Sequence, residues 1–353
     1  MTLLARDEAD IVDAQIAFHL NAGVDFVIAT DNRSTDGTTE ILESYERAGV
    51  LCLIHEWGDD MRQAEWVTRM ARLAATDFGA DWVINSDADE FWWPRAGTLK
   101  ELLARIPDRF GVVRGCWRHF LPRPEDGSFF AERMTVRLAR PSFAGDKTTI
   151  FHAHQKVAHR ARPDIAVEAG NHNAHGAALD PLRFWFPIEV LHFSLRSVAQ
   201  LEQKSAGGWS RNANYVLELH QQRLDKAAKA RGLGPYFDAF AIDNDRLESG
   251  LADGTLAVDV RLRDALRLLR VRNETLGLPG FTLPDTSTVP LLSFPKAEVH
   301  EDAAYASETS ALVELDGVVR AEARVDAVES RIAALERASW SRRLSRRSRG
   351  LLS

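Results

Sequence analysis

Cysteine is almost missing from this chain of 353 residues: only Cys52 and Cys116 are present. Two thiols cannot build a disulfide framework, and they do not support a Cys-based metal site. Both lie in apolar, strand-like runs and are expected to be buried. No run of apolar residues is long enough to span a bilayer. The opening MTLLARDEADIV has neither the apolar core nor the cleavage site of a signal peptide, so the expected compartment is the cytoplasm. No segment repeats another. An excess of positive charge is also missing. Formal net charge is -7, from 44 Lys and Arg against 51 Asp and Glu, which gives no general attraction to nucleic acid. What is left is an ordinary soluble composition, 45% hydrophobic and 27% charged, long enough for a sizeable core and more than one structural unit.

The most informative stretch is DWVINSDADEFWWP, Asp81 to Pro94. Asp81 to Asn85 reads as a short strand. At its carboxyl end come Asp87, Asp89 and Glu90. Alternation predicts that Asp87 and Asp89 point to the same side of an extended backbone. Carboxylates held together repel unless a cation separates them. A hard divalent ion does so and leaves positions that phosphate oxygens can fill. Phe91, Trp92 and Trp93 are then expected as flat walls beside the site. A solvated acidic loop is the plain alternative; the apolar strand before the cluster favours the site.

Upstream, strand and helix alternate. Thr2–Ala5, Asp25–Thr30, Val50–Ile54 and Asp81–Asn85 read as strands. Helical spacing falls on Ala9–Asn21, Thr38–Ala48 and about Asp60–Phe78, and Gly23, Gly49 and Gly79 follow their ends. This pattern predicts an α/β fold: a mostly parallel, Rossmann-like sheet with helices on both faces. Ligands of such sheets bind beyond the carboxyl ends of the strands. Arg6 to Glu8, Asp31 to Asp36 and Ser86 to Glu90 all fall there, so they are expected to converge on one cleft. Asp36 is expected to cap the helix that follows it. Arg62 and Gln63 open a helix at the cleft and either touch the ligand or face solvent.

Beyond Leu99 the pattern changes. A helix over Leu99–Ile106 precedes strands at Phe110–Trp117, Met134–Ala139, Lys156–His159 and Ile188–Phe193, separated by long polar loops. Val198–Lys204, Asn212–Ala230, Tyr236–Gly250 and Val260–Asn273 read as helices, and Gly277–Pro295 as a linker. Val318, Ala321, Val325, Val328, Ile332 and Leu335 form a heptad seam, suited either to a small homo-oligomerisation helix or to packing on the body. The basic run Arg342 to Arg349, with Trp340, Leu351 and Leu352 nearby, suits peripheral contact with the inner face of an anionic membrane as well as it suits a solvated tail.

The strings ARDEADIVDAQIAFHLNAGVDFVIATDNRSTDGTTEIL and INSDADEFWWP resemble glycosyltransferase family 2 and its GT-A relatives, in the branch whose DxD is followed by Glu-Phe. The likeness is strong over residues 2–95 and moderate to about 205. Beyond the reach of the likeness, the residue patterns read as a helical extension over 206–276, a linker over 277–300, a helix over 301–340 and a basic tail over 341–353; the likeness itself implies a GT-A domain over 1–205. It implies transfer of a sugar from a UDP- or GDP-sugar to a hydroxyl of a saccharide or lipid-linked acceptor, in cell-surface polysaccharide or glycolipid synthesis. Asp87 and Asp89 match the DxD that holds Mn2+ or Mg2+, with His192, in HFSLRS, completing the shell and His172 as its competitor. Asp31 matches the residue that reads the base, with Arg6 and Glu8 beside it. Arg62, Gln63, Lys147, Lys156, Arg196 and Lys204 are candidates for the donor. The family's general base has no clear match; Asp126, Glu132, Asp146 and Glu168 are the candidates. Two other readings compete. A nucleotidyltransferase would carry a glycine-rich loop after the first strand, and ARDEAD has no glycine. A non-catalytic sugar-nucleotide binding module would not need the acidic pair.

Overall fold

The computed structural model describes residues 1–58, 62–140, 151, 154–177, 179–183, 185–206, 226, 232–275, 281, 292 and 294. These belong to the first of two units, Met1–Ala306. The heptad seam, the basic tail, Asp146, Lys147, and Asn212–Ala230 apart from residue 226 lie outside the described residues. No helix among the described residues is long and apolar enough to cross a membrane.

The first half follows the expected alternation. Strands β1 (Thr2–Ala5), β2 (Val27–Asp31), β3 (Leu51–His55) and β4 (Trp82–Asp87) alternate with helices α1 (Val12–Asn21), α2 (Thr38–Arg47) and α3 (Gln63–Thr76). The strands pair in parallel in the order β3-β2-β1-β4. β1, β2 and the middle of β4 are buried on both faces, whereas β3 at the edge is only partly covered. Leu3, Val27 and Ile84 face the core with α1 and α2, whereas Leu4, Ile28 and Val83 face α3. Gly23 closes α1 at φ +105°, and a Cβ there would stand 3.1 Å from the Lys100 amide nitrogen.

The second half continues the same sheet with mixed direction. Its strands are β5 (Glu90–Pro94), β6 (Val112–His119), β8 (Gln155–Arg160) and β11 (Ile188–His192). The full order is β3-β2-β1-β4-β8-β6-β11-β5. β8 is antiparallel to both β4 and β6, β11 is parallel to β6, and β5 closes the edge antiparallel to β11. The result is an α/β fold built on one large, mostly parallel sheet, with helical elements after it. Smaller elements are α4 (Leu99–Ala104), α5 (Phe130–Arg133), β7 (Val136–Leu138), β9 (Ala166–Val167), β10 (Ala174–His175), α6 (Val198–Ala206), α7 (Gly234–Phe240), α8 (Asn244–Ala252), β12 (Leu256–Val258) and α9 (Arg261–Thr275).

Several expectations change. Phe91, Trp92 and Trp93 are not walls of a cleft but strand β5: Phe91 and Trp92 are fully buried, and Phe91 packs on Phe18, Phe130 and Phe193. The helix expected over Tyr236–Gly250 is two helices, because the Asp243 carboxylate accepts the Arg246 amide and starts α8 afresh. Inside the expected linker, Phe281, Leu292 and Phe294 are buried, and Phe294 meets Trp93 edge-on at 4.4 Å. Cys116 is buried as expected, while Cys52 is only partly so.

Helix α9 is tied to the sheet by a buried charge network. The Glu189 carboxylate on β11 accepts from Arg118 at 2.8 Å and from Arg261 at 2.7 Å, with Arg95 at 3.7 Å. Burial alone would raise the Glu189 carboxyl; the Arg261 and Arg118 guanidiniums overcome this and hold it down at about 2. A depressed carboxyl stabilises the fold above its unfolded value, and the contribution is lost as pH falls through its folded value. Glu189→Gln is therefore expected to cost on the order of 3 kcal/mol at neutral pH. Urea unfolding from pH 7 down to 2 checks this: the gap between the two proteins should shrink below about pH 4.5. A gap that stays constant would contradict it.

Candidate metal and donor site

The register of the parallel half sets the geometry. Asp31 at the end of β2 pairs with Ala5, and Asp87 at the end of β4 pairs with Leu4. The two acids thus flank the end of β1, about 10 Å apart by strand spacing. The loops carrying Arg6–Glu8, Asp31–Asp36 and Asp87–Glu90 meet at one end of the sheet.

Asp87 and Asp89 do not share one extended backbone. Asp87 is the last residue of β4, Ala88 and Asp89 make a turn, and Glu90 starts β5. The turn is closed by Glu90, whose Oε2 accepts the Asp87 amide at 3.1 Å. Glu90 Oε1 accepts from Trp117 Nε1 at 2.7 Å and pairs with Lys156 Nζ at 2.8 Å. Lys156 also donates to Asp87 Oδ2. Burial pushes the Glu90 carboxyl up, to about 8, against the pull of Lys156. Burial would lower Lys156, but Asp87 and Glu90 hold its ammonium above the usual value.

The two motif carboxylates therefore face different neighbours. Asp87 Oδ1 accepts from Asn171 at 3.0 Å and from Gln63 at 3.4 Å. Gln63 in turn accepts the Gly170 amide at 3.0 Å. Gly170 and Asn171 both lie in the left-handed region, at φ +77° and +60°, and this tight turn delivers Asn171 to Asp87. Asp89 Oδ2 instead stands 3.7 Å from His192 Nε2, 3.7 Å from Lys204 Nζ and 4.0 Å from an Arg196 nitrogen. Burial would raise Asp89, but His192, Lys204 and Arg196 hold it well below the usual carboxylate value. Arg196 is itself buried, gripping Asp10 at 2.7 and 2.8 Å and Glu8 with the same fork.

One group among the described residues has ligand atoms close enough for a cation. Asp89, Glu90 and His192 each offer an atom within 4.8 Å of the others. Two carboxylates and an imidazole suit a Mn2+-like ion. The expectation named Asp87 in this set; Glu90 takes that place, and Asp87 turns to Lys156. His172, the competitor to His192, is held elsewhere: its Nδ1 bonds the Gln155 carbonyl at 2.8 Å and its ring stacks on His154 at 3.4 Å.

Other expected residues fall in varied places. Asp31 is nearly buried, its oxygens accepting from Ser34 at 2.6 Å and Thr39 at 2.6 Å, so it braces the loop after β2. The cap of α2 expected at Asp36 falls instead to Gly37, which makes no side-chain cap bond; Asp36, one residue earlier, accepts the Thr38 amide at 3.0 Å and the Ala9 amide at 2.9 Å. Glu8 faces inward to Arg196 and Lys204 rather than outward to a donor. Arg6 bonds Asn32 at 3.3 Å. Arg62 pairs with Glu65 at 2.5 Å and lines an open cavity of about 660 Å³ on the outer side of α3, which none of the motif acids lines. Lys156 has 1% of its side chain exposed and is spent on Asp87 and Glu90, not left for phosphate. Among the base candidates, Glu132 forks onto Arg267 at 3.0 Å and Asp126 accepts from Ser128. Neither bonds a residue of the cluster. Glu168 starts the turn that carries Asn171 and bonds His175 at 2.5 Å.

The sequence offered no sign of Trp117, His119 or Asn171. Trp117 stacks on His192 at 4.2 Å and meets His119, His154 and His172 edge-on. The dipeptide Gly170-Asn171 is a turn signal, and that was the only available hint. Lys156→Met would strand the buried Glu90 and leave the partly exposed Asp87 without its cation, and is expected to destabilise the protein by about 3 kcal/mol. Thermal unfolding measures it. Unchanged unfolding with weakened nucleotide binding would mean that Lys156 faces a donor instead.

No curated protein matches the chain. Residues 4–119 match the model of glycosyltransferase family 92, a stretch running from β1 to the end of β6 and holding Asp31, Asp87, Asp89 and Glu90. Among solved structures the chain is similar to S. aureus TarS 1-349 in complex with UDP, at 10% identity over 78% of this chain and 90% of that one, with a TM-score of 0.32. It is similar to S. aureus TarS 1-349 at 11% identity over 65% and 71% of the two chains, with a TM-score of 0.30. The motifs had pointed to family 2, and the matched model is that of family 92. The coarser conclusion is common to both: the first third of the chain is that of a glycosyltransferase.

Proposed function

We propose that this protein moves a sugar from a nucleotide diphosphate donor to an acceptor hydroxyl, with Mn2+ or Mg2+ held at Asp89, Glu90 and His192 on a GT-A-like fold. The observation that carries the reading is the cluster itself, three ligand atoms within 4.8 Å at the carboxyl end of the sheet. The setting is acidic: Glu8, Asp10, Asp87, Asp89 and Glu90 gather around Lys156, Arg196 and Lys204.

When bound, the cation offsets the negative charge that builds on the leaving diphosphate. Lys204, partly exposed beside Asp89, is placed to add a second positive charge there. Arg196 fixes the loop after β1 through Glu8 and Asp10 and so shapes the donor side. Asp31 acts by bracing the loop after β2, whose backbone then meets the nucleotide. Gln63 and Asn171 hold Asp87 from the other side. Among the described candidates for the acceptor's proton we take Glu168, because it starts the turn whose Asn171 bonds Asp87. The donor class is a UDP- or GDP-sugar, and the acceptor a saccharide or lipid-linked glycan at the inner face of the membrane.

Incubation with UDP- and GDP-sugars and Mn2+ tests the reading by following release of UDP or GDP. Asp89→Asn is expected to lower turnover by roughly 10²–10³-fold. Equal turnover in both proteins would sink the proposal. Pyrophosphate release from a nucleoside triphosphate and a sugar phosphate would point to nucleotidyl transfer instead.

A further inference from the structure

We infer that His119 is the positioning residue that fixes His192 for the cation; this rests on the metal site proposed above. Three neighbouring strands bring the parts into one row. His192 on β11 pairs with Glu90 on β5 on one side and with His119 on β6 on the other. The His192 ring is set on three sides. Trp117 covers one face at 4.2 Å with the planes 19° apart, Nε2 points toward Asp89 at 3.7 Å, and Nδ1 stands 3.2 Å from His119 Nδ1.

Two Nδ1 atoms at that distance need one proton between them, because a neutral imidazole has one donor and one acceptor nitrogen. A cation held there would take the lone pair of His192 Nε2, which would leave the His192 proton on Nδ1. His119 Nδ1 is then the acceptor, and its own proton sits on Nε2. The contact is buried, with both histidines under a tenth exposed, so solvent does not replace the acceptor. Partners of this kind behind a ligating histidine fix both its tautomer and its direction. The competing view is a pair of packed core histidines. It predicts that shape matters and the acceptor does not.

Two variants separate these. His119→Phe keeps a ring against Trp117 and Phe151 but cannot accept a hydrogen bond. His119→Asn loses the ring but offers an oxygen close to the place of Nδ1. Mn2+ binding, followed by electron paramagnetic resonance with and without UDP, is expected to weaken about 10–100-fold in His119→Phe and to recover largely in His119→Asn. Unfolding temperatures identify variants that fold. A folded His119→Phe that binds Mn2+ like the wild type overturns the assignment, as does equal weakening in both variants. Asp89→Asn runs in parallel. Wild-type binding that survives Asp89→Asn, or no wild-type binding, overturns the metal site and the inference with it. Binding lost in Asp89→Asn but kept in His119→Phe overturns His119 alone. If His119→Phe does not fold, imidazole nitrogen shifts of the Mg2+-loaded wild type decide: His192 protonated on Nδ1 supports the inference, and on Nε2 overturns it.

Discussion

A carboxylate with no exposure must receive its hydrogen bonds from the chain, and Glu90 receives them from three places in the fold. The Asp87 amide comes from β4, the Trp117 indole from β6 and the Lys156 ammonium from β8. Losing any one would leave a buried acceptor short of a donor, at a cost comparable to its desolvation. The β4–β5 turn is therefore locked to the two strands on the far side of β4. That lock sets the direction in which Asp89 leaves the turn. The site's geometry follows from it more than from the acidic motif itself.

The same logic joins the two halves of the sheet. The parallel half ends in loops that carry Glu8 and Asp10, and the mixed half ends in Phe193 to Arg196. Arg196 bridges them, reaching Glu8 and Asp10 from one nitrogen set and the Phe193 carbonyl at 3.2 Å from another. A buried guanidinium is costly unless its donors are filled, and here carboxylates and a carbonyl fill them. The bridge holds the β1 loop and the His192 segment in one arrangement. It also keeps Arg196, Lys204 and the His192 ring around Asp89, so this acid stays ionised although it is buried.

Much of the parallel half could be read from the sequence because its signals are local. Apolar runs of four to six residues, glycines after helices and polar clusters at strand ends all lie within one or two turns of chain. The position of Asp31, Asp87 and Asp89 at one end of the sheet follows from those signals, and so does the place of His192 at the end of an apolar strand. What could not be read depends on register between distant strands. Glu90 belongs to the cluster because β5 folds back antiparallel to β11, and nothing local to DADEFWWP separates that from a loop with exposed aromatics. Lys156 looked like a free cation because its two carboxylate partners lie on other strands. Asn171 reaches Asp87 across 84 residues of sequence.

The separation of Asp87 from Asp89 is the step that organises the chemistry. In an extended strand the two acids would repel, and a cation would be needed to hold them at all. In the turn each acid has its own neutralising groups: Lys156 and Asn171 for Asp87, and His192, Lys204 and Arg196 for Asp89. The arrangement is thus stable before any ligand arrives. All three members of the Asp89 group stand off it, His192 and Lys204 at 3.7 Å and Arg196 at 4.0 Å, so these contacts can be exchanged at low cost. A cation and a diphosphate entering there would displace contacts of that loose kind, while the tight Glu90–Lys156–Asp87 pairing beneath stays in place.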